Sequence, residues 1–320
     1  MKGKMAMFYI GALLLIPVSQ AGAWGPLGHK IVARVAEGRL SPVALDRIRG
    51  IIGDGVALED ITLCADDVLY AKDPLTCGGF VLDPKEFTET RPWHYLDVPG
   101  KATPHADPLS SYCPYGKDCP ISQIRLQTAV LKSPAASQRQ KQIAVMFIVH
   151  FLGDIHMPLH VRPDQPDMGR NKKMLTYLGI AKNLHQLWDG LLLPEDYKVQ
   201  GTMDPTPWVI RINAVINAES TTHWTQGDMV ENAGWESFVI SRDIIDPDYE
   251  RERNLDKEYQ IRMEPILEKR LAMAGVRLAA VLEDAFQPLA QDRATSQLPR
   301  RPPLRAMTRV VDGLLLGVHF

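Results

Sequence analysis

The chain is 320 residues long and 45% hydrophobic, so it can bury a sizeable core as one large domain or two small ones. It carries 36 lysines and arginines against 38 aspartates and glutamates, a formal net charge of −2. This weakly acidic balance gives no electrostatic case for nucleic-acid binding, although bound cations could add positive charge that a residue count misses.

The first 23 residues have the pattern of a secretory signal peptide. Lys2 and Lys4 precede an almost wholly apolar run over 5–18, and Ala21-Gly22-Ala23 is a small-residue cleavage pattern. A membrane anchor is the alternative, but the run is short for a bilayer span. We therefore expect cleavage after Ala23, which makes Trp24 the mature N-terminus, leaves no stable membrane span and places the protein in the periplasm or the medium.

Helical patterns dominate the rest of the chain. Ser41-Pro42 predicts an N-cap followed by proline at the first helical position. The long apolar run over 137–156 predicts a buried central helix, and 258–286 predicts a helix broken near Pro265. Apolar residues also recur at helical spacing over 59–72, 123–132, 183–193, 207–216 and 235–245.

Alternation of the kind that indicates strands is absent from the sequence. We therefore predict an all-α fold, with a single mainly helical domain over 24–290 and long loops around 73–92, 97–120 and 161–180. The remaining stretch, 291–320, is rich in proline and arginine and predicts a flexible tail. A basic arm that touches phosphate or membrane is the alternative for this tail.

Four cysteines, Cys64, Cys77, Cys113 and Cys119, suit two disulfides in an exported chain. Three pairings are possible, and four free thiols are the alternative. We favour Cys64–Cys77 and Cys113–Cys119, the second of which would close a short loop. No Cys-x-x-Cys pair is present in the sequence, so a cysteine-type zinc site is not expected.

Two histidine–aspartate pairs are spaced one helical turn apart. His150 and Asp154 lie in the most apolar helical run, and His185 and Asp189 follow in the next. A single such pair is usually an ion pair, but a buried charge in an apolar helix needs a partner or a metal. Since imidazole nitrogen and carboxylate oxygen together suit a borderline cation such as zinc, we predict a metal site.

Three further stretches offer the same donor atoms. His160 lies in the bend after the first pair, and Asp66 or Asp67 lies on a predicted helix. His94 and Asp97 lie in an extended, aromatic stretch. Taken alone, each has an ordinary explanation as a solvated helix residue or a hydrogen-bonded loop histidine.

Together these residues resemble the zinc-dependent single-strand nucleases and 3′-nucleotidases of the S1/P1 type, whose fold is shared with zinc-dependent bacterial phospholipase C. The resemblance runs from Trp24 to Asp189, and beyond Asp189 it is one of general helical character. Any one stretch would be a weak indication, whereas six in the same order are specific. They are Trp24 with His29 five residues on, Ala65-Asp66, Trp93-His94-Tyr95, His150-x-x-x-Asp154, Pro158-Leu159-His160 and Asn183-Leu184-His185-x-x-Trp188-Asp189.

The resemblance implies a phospholipase C/nuclease-like fold that holds three zinc ions. The first would be held by Asp66, His94, His150 and Asp154. The second would be held by His160, His185 and Asp189. The third would be held by His29 and by the α-amine and carbonyl of Trp24, with Asp154 shared as a bridge. The Trp24 amine exists only after the signal peptide is removed, which explains a tryptophan directly behind the cleavage pattern.

The implied function is that of an exported phosphodiesterase. It would hydrolyse single-stranded DNA or RNA to 5′-nucleotides, with 3′-nucleotides as a further substrate. Metal ions lower the pKa of water, so a hydroxide at the two zincs bridged by Asp154 would attack, and Asp154 and Asp66 would be catalytic. The zinc of His160, His185 and Asp189 would bind phosphate and the leaving 3′-oxygen.

Two residues are implied on the substrate side. Tyr95 follows a zinc ligand and could stack on an unpaired base, a contact worth about 1–3 kcal/mol that tolerates any base. A packed core tyrosine is the alternative. Asp97 resembles a family carboxylate near the base pocket. The chain departs from the family pattern in leaving out a tryptophan, a basic residue and a second carboxylate; Cys64, Leu69 and Pro99 stand in their places.

Two other functions are alternatives. One is a zinc-dependent phospholipase C, which uses similar chemistry on a lipid headgroup; Asp189, in place of glutamate, favours the nuclease. The other is an exported zinc-binding helical protein without activity, against which the intact ligand set argues. We expect a monomer whose partners are single-stranded nucleic acid or nucleotides.

Overall fold

The computed structural model describes residues 24–193, 198–199 and 202–286. The predicted signal peptide over 1–23 and the predicted tail over 291–320 lie outside the described residues, and both stay predictions. No helix among the described residues is both long and apolar enough to cross a bilayer.

Helices form most of the described chain, as predicted. They are α1 Pro26–Glu37, α2 Pro42–Ile52, α3 Leu58–Ile61, α4 Cys64–Tyr70, α5 Pro120–Lys132, α6 Gln138–Asp154, α7 Leu184–Gln186, α8 Thr206–Val215, α9 Ala218–Trp224, α10 Met229–Ile240, α11 Asp246–Arg251 and α12 Lys257–Phe286. Short 3₁₀ turns include Arg91–His94 and Pro158–His160, and π turns cover Leu187–Leu191 and Ser241–Ile245.

Short strands are the main addition to the predicted fold, and the first six in chain order lie wholly or partly in the regions predicted to be loops. They are β1 Leu75–Cys77, β2 Phe80–Leu82, β3 Leu96–Val98, β4 Val161–Pro163, β5 Met174–Tyr177, β6 Ile180–Asn183, β7 Lys198–Val199, β8 Thr202–Met203 and β9 Asn254–Leu255. Strands of two to four residues are too short to show alternation in a sequence, because a period of two needs several repeats to be recognised.

The helix starts follow local capping chemistry. The hydroxyl of Ser41 accepts a hydrogen bond from the Ala44 amide at 3.2 Å, with Pro42 at the first helical position, as predicted. At the start of α6, the Ser137 hydroxyl accepts from the Gln140 amide while the Gln140 side chain accepts from the Ser137 amide, at 3.3 and 2.8 Å. This reciprocal pair is a capping box, and it fixes where the central helix begins.

Helix α6 is the buried centre of the fold, as its apolar sequence predicts. All residues from Ala144 to Asp154 are buried, and α1, α2, α5 and α12 pack around it. Helix α12 also packs directly on α1, where a Cβ added to Gly275 would lie 2.3 Å from Cγ1 of Val35. A glycine is therefore required at this crossing, because the two backbones approach too closely for a side chain.

The predicted break at Pro265 is wrong, since α12 runs without interruption from Lys257 to Phe286. Pro265 removes the hydrogen bond that would reach the carbonyl of Ile261, and both residues lie on the exposed face. Water can hydrate that carbonyl, while the opposite face stays packed. Tertiary packing therefore outweighs the local cost of proline.

Two disulfides and three strand pairings hold the loops around the site. The disulfides are Cys64–Cys77 and Cys113–Cys119, which confirms the predicted pairing. Strands β3 and β4 pair in parallel and place Asp97 opposite Arg162. Strand β5 pairs with β6 in antiparallel fashion and with β9 in parallel.

Candidate metal centre and active-site cavity

Four predicted donor residues from three elements converge on one point. His150 and Asp154 lie one turn apart on α6, Asp66 lies in the first turn of α4, and His94 ends a 3₁₀ turn. Nδ1 of His94 lies 3.1 Å from Nε2 of His150 and 3.2 Å from Oδ2 of Asp154. Oδ1 of Asp66 lies 3.3 Å from Nδ1 of His94 and 3.6 Å from Nε2 of His150. Asp67, the alternative to Asp66, is exposed.

These separations match the edges of a tetrahedron around a zinc-sized ion. Bonds of about 2.0–2.1 Å in tetrahedral geometry place neighbouring donor atoms about 3.3 Å apart. The four separations between donor atoms, 3.1 to 3.6 Å, fall around that value. The group therefore has the size, shape and donor types that a zinc ion requires.

A second group of the same type forms beside the first. Nε2 of His185 lies 3.3 Å from Nε2 of His160 and 3.3 Å from Oδ2 of Asp189. His160 ends the 3₁₀ turn Pro158–His160, and Asp189 lies in the π turn that follows α7. The wider π turn lets His185 and Asp189 face the same point across adjacent elements, a use of π geometry that is common at functional sites.

Trp24 and His29 lie on the far side of Asp154. Nε2 of His29 is 3.4 Å from Oδ1 of Asp154, and the His29 ring stacks on His150 with centroids 4.2 Å apart. Trp24 is fully buried, and the next amide, that of Gly25, donates to the Asp189 carbonyl at 2.5 Å. The start of the described chain therefore lies beside both groups, and the two oxygens of Asp154 lie near His29 and His94.

Two glycines make room for these rings, and sequence reasoning missed both. A Cβ added to Gly153 would lie 2.7 Å from Nδ1 of His29, and one added to Gly28 would lie 2.7 Å from Cβ of Trp24. A glycine directly before a candidate ligand, in an otherwise apolar helix, is the feature that could have indicated Gly153.

Backbone carbonyls orient three of the imidazoles. Nδ1 donates to a carbonyl in each case: His150 to Thr62 at 2.7 Å, His160 to His94 at 2.7 Å, and His185 to Gly169 at 2.6 Å. In the neutral form of each ring the proton lies on Nδ1, and Nε2 then directs a lone pair to the centre of its group. This arrangement is usual for metal-binding histidines, because the outer hydrogen bond fixes both the tautomer and the ring direction.

Several buried polar atoms of the two groups lack a hydrogen-bond partner among the described residues. These are both carboxylate oxygens of Asp154 and of Asp189, both ring nitrogens of the adjacent His29, and Nε2 of His94. Buried polar atoms are ordinarily satisfied, so buried carboxylates without hydrogen-bond partners beside imidazoles have the chemistry of a cation site. The residues present therefore fit a metal centre.

Burial dominates the protonation of these carboxylates. It raises the pKa of Asp189, and the neighbouring carboxylates of Asp66 and Asp154 raise it further. Burial likewise raises the pKa of Asp154, although the imidazole of His150 opposes the change. For Asp66 burial acts in the same direction, but His150 and His94 outweigh it and lower the pKa. A bound cation would favour the ionised form of all three.

Burial leaves most of these imidazoles with a lowered pKa, and His150 is the exception. Burial lowers the pKa of His29 and of His160, and a neighbouring imidazole lowers it further in each case. Burial and Arg162 lower the pKa of His185 to about 4. For His150 burial also lowers the pKa, but Asp154 and Asp66 outweigh it and raise it to about 9. Three of the four rings are therefore neutral and available as ligands near pH 7.

The two groups open onto one cavity of about 270 Å³. Asp66, His94, His160 and His185 form part of its lining, and the substrate residues expected from the sequence, Tyr95 and Asp97, form another part. Leu69, Tyr70, Arg91, Arg162, Gln165, Met168, Gly169 and Asn171 complete it. Pro99 is exposed and is not among these lining residues.

Arg162 organises the Tyr95 and Asp97 side of the cavity, and sequence reasoning missed it. Its Nη2 pairs with Oδ1 of Asp97 at 3.0 Å, and its guanidinium carbon lies 5.0 Å from the centre of the Tyr95 ring. A Cβ on Gly169 would lie 2.7 Å from that carbon, so a glycine is required there. Arg162 covers one face of the Tyr95 ring, so a further stacking contact would have to use the opposite face.

Comparison with known proteins identifies the family. The family model described as S1/P1 nuclease matches residues 24–287. The chain belongs to the S1/P1 nuclease family. Nuclease S1 of Aspergillus oryzae is 29% identical over 300 residues, which cover 84% of this chain and 96% of the relative. Endonuclease 2 of Arabidopsis thaliana is 26% identical over 319 residues, 88% of this chain and 97% of the relative.

Nuclease P1 of Penicillium citrinum is a further relative, 28% identical over 220 residues that cover 65% of this chain and 73% of the relative. Membership of the S1/P1 nuclease family confirms the family predicted from six short motifs, and with it the prediction of an enzyme that hydrolyses phosphodiester bonds. The mainly helical fold agrees with that family.

Proposed function

We propose that this S1/P1 nuclease is a three-zinc enzyme that cleaves single-stranded DNA or RNA to 5′-nucleotides and also accepts 3′-nucleotides. One observation carries the proposal. Nine residues match the family motifs in order, and eight of them are histidines and aspartates. Those eight side chains form three groups, two of which share His150, and four of the eight line one cavity. Random placement of eight such residues over 160 positions of chain would not produce this convergence with tetrahedral spacing.

The proposed ligands follow the geometry. Asp66, His94, His150 and Asp154 would hold one zinc. His160, His185 and Asp189 would hold the second. His29 and the main chain of Trp24 would hold the third, with Asp154 facing both this ion and the first. Support for the shared role comes from its two oxygens, which face His94 on one side and His29 on the other at 3.2 and 3.4 Å.

Bound zinc would supply a Lewis acid that lowers the pKa of water and offsets the charge that develops on the phosphoryl oxygens. The residues of the chain would position the reacting groups. Asp154 and Asp66 would hold the attacking side in place from two rigid helices, α6 and α4. His160, His185 and Asp189 would fix the phosphate and leaving-oxygen side. A rigid frame matters because small misplacements of reacting groups are costly in rate.

Tyr95 supports the preference for single strands. A base can reach the free face of its ring only if that base is unstacked, which a duplex does not allow without opening. The carboxylate of Asp97 uses Oδ1 on Arg162 and leaves Oδ2 for donors on the base edge. Tyr95 and Asp97 are therefore proposed to bind one base of the substrate.

The proposal includes export and processing. The family match begins at Trp24, which supports cleavage after Ala23 and delivery to the periplasm or the medium. We also propose a monomer, because the whole proposed ligand set comes from one chain and no donor from a second copy is needed. Gel filtration with light scattering would test this point.

The decisive experiment uses protein that begins at Trp24. Hydrolysis of a single-stranded oligodeoxynucleotide and of phosphatidylcholine would each be measured with and without a chelator, together with metal content. We expect chelator-sensitive release of 5′-nucleotides, zinc at three ions per chain and no action on lipid. Cleavage of lipid alone would overturn the nuclease proposal in favour of a phospholipase C. If neither substrate were hydrolysed, the protein would be a zinc-binding protein without activity.

A further inference from the structure

An arginine and a tyrosine form a pair at the cavity that none of the proposed roles uses. The guanidinium carbon of Arg91 lies 5.2 Å from the centre of the Tyr70 ring, and both residues line the cavity. Stacking of a guanidinium on an aromatic face restrains the arginine while leaving its N–H groups free to bind.

Both residues are placed by the same elements that carry proposed ligands. Tyr70 lies four residues after Asp66 on α4, so the two side chains share one face of that helix. Arg91 lies three residues before His94 in a 3₁₀ turn, where side chains three apart eclipse one another. Arg91 and Tyr70 therefore sit one turn away from the metal group, on the side of the cavity that these two elements form.

Arg91 is the cation in the described cavity lining that is available to a ligand. The other arginine, Arg162, is buried and engaged with Asp97 and with the carbonyl of Leu159, at 3.0 and 2.8 Å. Arg91 is exposed, and no carboxylate among the described residues pairs with it. Leu69, which lies next to Tyr70 in the cavity, offers no charge.

We propose that Arg91, held on Tyr70, binds the phosphate of the nucleotide adjacent to the scissile one. This rests on the proposed nuclease function and deepens it, because it makes Arg91 a specificity residue that favours polynucleotides over 3′-mononucleotides. An exposed cation beside a nucleic-acid cleft adds attraction to each further phosphate that it contacts, and that attraction weakens with salt.

The test compares Arg91→Ala with the wild-type enzyme on a single-stranded oligothymidylate and on a 3′-phosphorylated mononucleoside. The matched control is Arg253→Ala, since Arg253 is also exposed and stacks on a tyrosine, Tyr249, at 4.8 Å, but does not line the cavity. We expect Arg91→Ala to lower the ratio of kcat/KM for oligonucleotide to that for mononucleotide about tenfold. The slope of log(kcat/KM) against log salt on the oligonucleotide should flatten by about 0.7.

Two further variants separate the binding role from a structural one. Arg91→Lys keeps the charge and should recover most of the salt slope, and Tyr70→Leu should weaken the oligonucleotide preference in the same direction as Arg91→Ala. An unchanged ratio and slope in Arg91→Ala, with an active wild-type enzyme, would overturn this inference alone. A wild-type enzyme inactive on both nucleotide substrates would instead overturn the proposed function.

Discussion

Arg277 donates a hydrogen bond to Nε2 of His156 at 3.1 Å, deep between α12 and the end of α6. The imidazole can accept there because its Nδ1 donates to the Leu152 carbonyl at 2.7 Å. Burial and the charges of Arg270 and Arg277 lower the pKa of His156, which keeps the ring neutral. His156 is therefore a hydrogen-bonded structural residue.

The same arginines tie the turn after Asp154 to the C-terminal helix. Arg270 donates to the His156 carbonyl at 3.0 Å, and both arginines bind the carboxylate of Glu236 on α10. The turn between the two candidate metal groups is thus held in place by hydrogen bonds from α12. Its geometry depends on residues far along the sequence from any proposed ligand.

Glu236 should make the stability of the protein depend on acid pH. Burial alone would raise the pKa of this carboxyl, but Arg277 and Arg270 outweigh it and lower the pKa below its ordinary value. A lowered native pKa stabilises the fold fully above the unfolded pKa of about 4.3, and this contribution is lost as pH falls through the native value. We expect Glu236→Gln to reduce the free energy of unfolding by about 2 kcal/mol at pH 7.

Denaturant unfolding from pH 7 to pH 3 checks this expectation. The difference in the free energy of unfolding between wild type and Glu236→Gln should become smaller as pH falls. Glu86→Gln is the matched control, because Glu86 pairs with Arg139 at 3.0 Å on the surface and should change stability by less than about 1 kcal/mol. A difference in the free energy of unfolding that stays constant with pH would contradict stabilisation by the charge of Glu236.

Asp154→Asn should remove both metal and activity. Asp154 faces two proposed ions with different oxygens, and an amide cannot supply two anionic donors. Changes to groups outside the ligand shell already cost about 10–100-fold, so we expect a loss of at least about 100-fold in hydrolysis of single-stranded DNA. Metal analysis and kinetics would be run beside Asp284→Asn, an exposed aspartate that pairs with Lys132. Full activity in Asp154→Asn would refute the assignment.

Residues retained in front of Trp24 should impair the enzyme. The proposed third ion uses the α-amine of Trp24, which an extension converts into an amide that cannot bind it. We expect an extended protein to hold two zinc ions and to gain the third, with a rise in rate, once the extension is cut off. The same preparation before and after cleavage is its own control. Equal metal content and equal rate in both forms would show that the amine is not a ligand.

Gly153→Ala should disturb the His29 side of the centre selectively. The new Cβ would lie 2.7 Å from Nδ1 of His29, which forces this buried ring to move away from Asp154. We expect loss of one zinc per chain and a fall in rate of about tenfold or more. Gly50→Ala on α2 is the control, because a Cβ there meets nothing within 4 Å and should leave metal content unchanged. Zinc analysis of the two variants would decide between these outcomes.

The residues that gather in the candidate metal groups were the most predictable part of the site. The spacing of His150 and Asp154 indicates a shared helix face directly, whereas the full set of proposed ligands came from the resemblance to the family. Arg162 and Gly169 were not predictable, because their roles arise from a parallel pairing of β3 with β4 and from a close approach in three dimensions. The continuous helix α12 was not predictable for the same reason. The tertiary packing that keeps it helical through Pro265 is not visible in the neighbouring sequence. The signal peptide and the tail stay predictions.

His94 takes part in both halves of the centre through different atoms. Its Nδ1 faces Asp66 and Asp154, while its carbonyl accepts the hydrogen bond that orients His160, at 2.7 Å. A movement of this one residue would displace a donor in the first group and rotate a ring in the second. The ions should therefore load cooperatively, so that a chelator empties the centre in one steep transition and partly filled molecules stay rare.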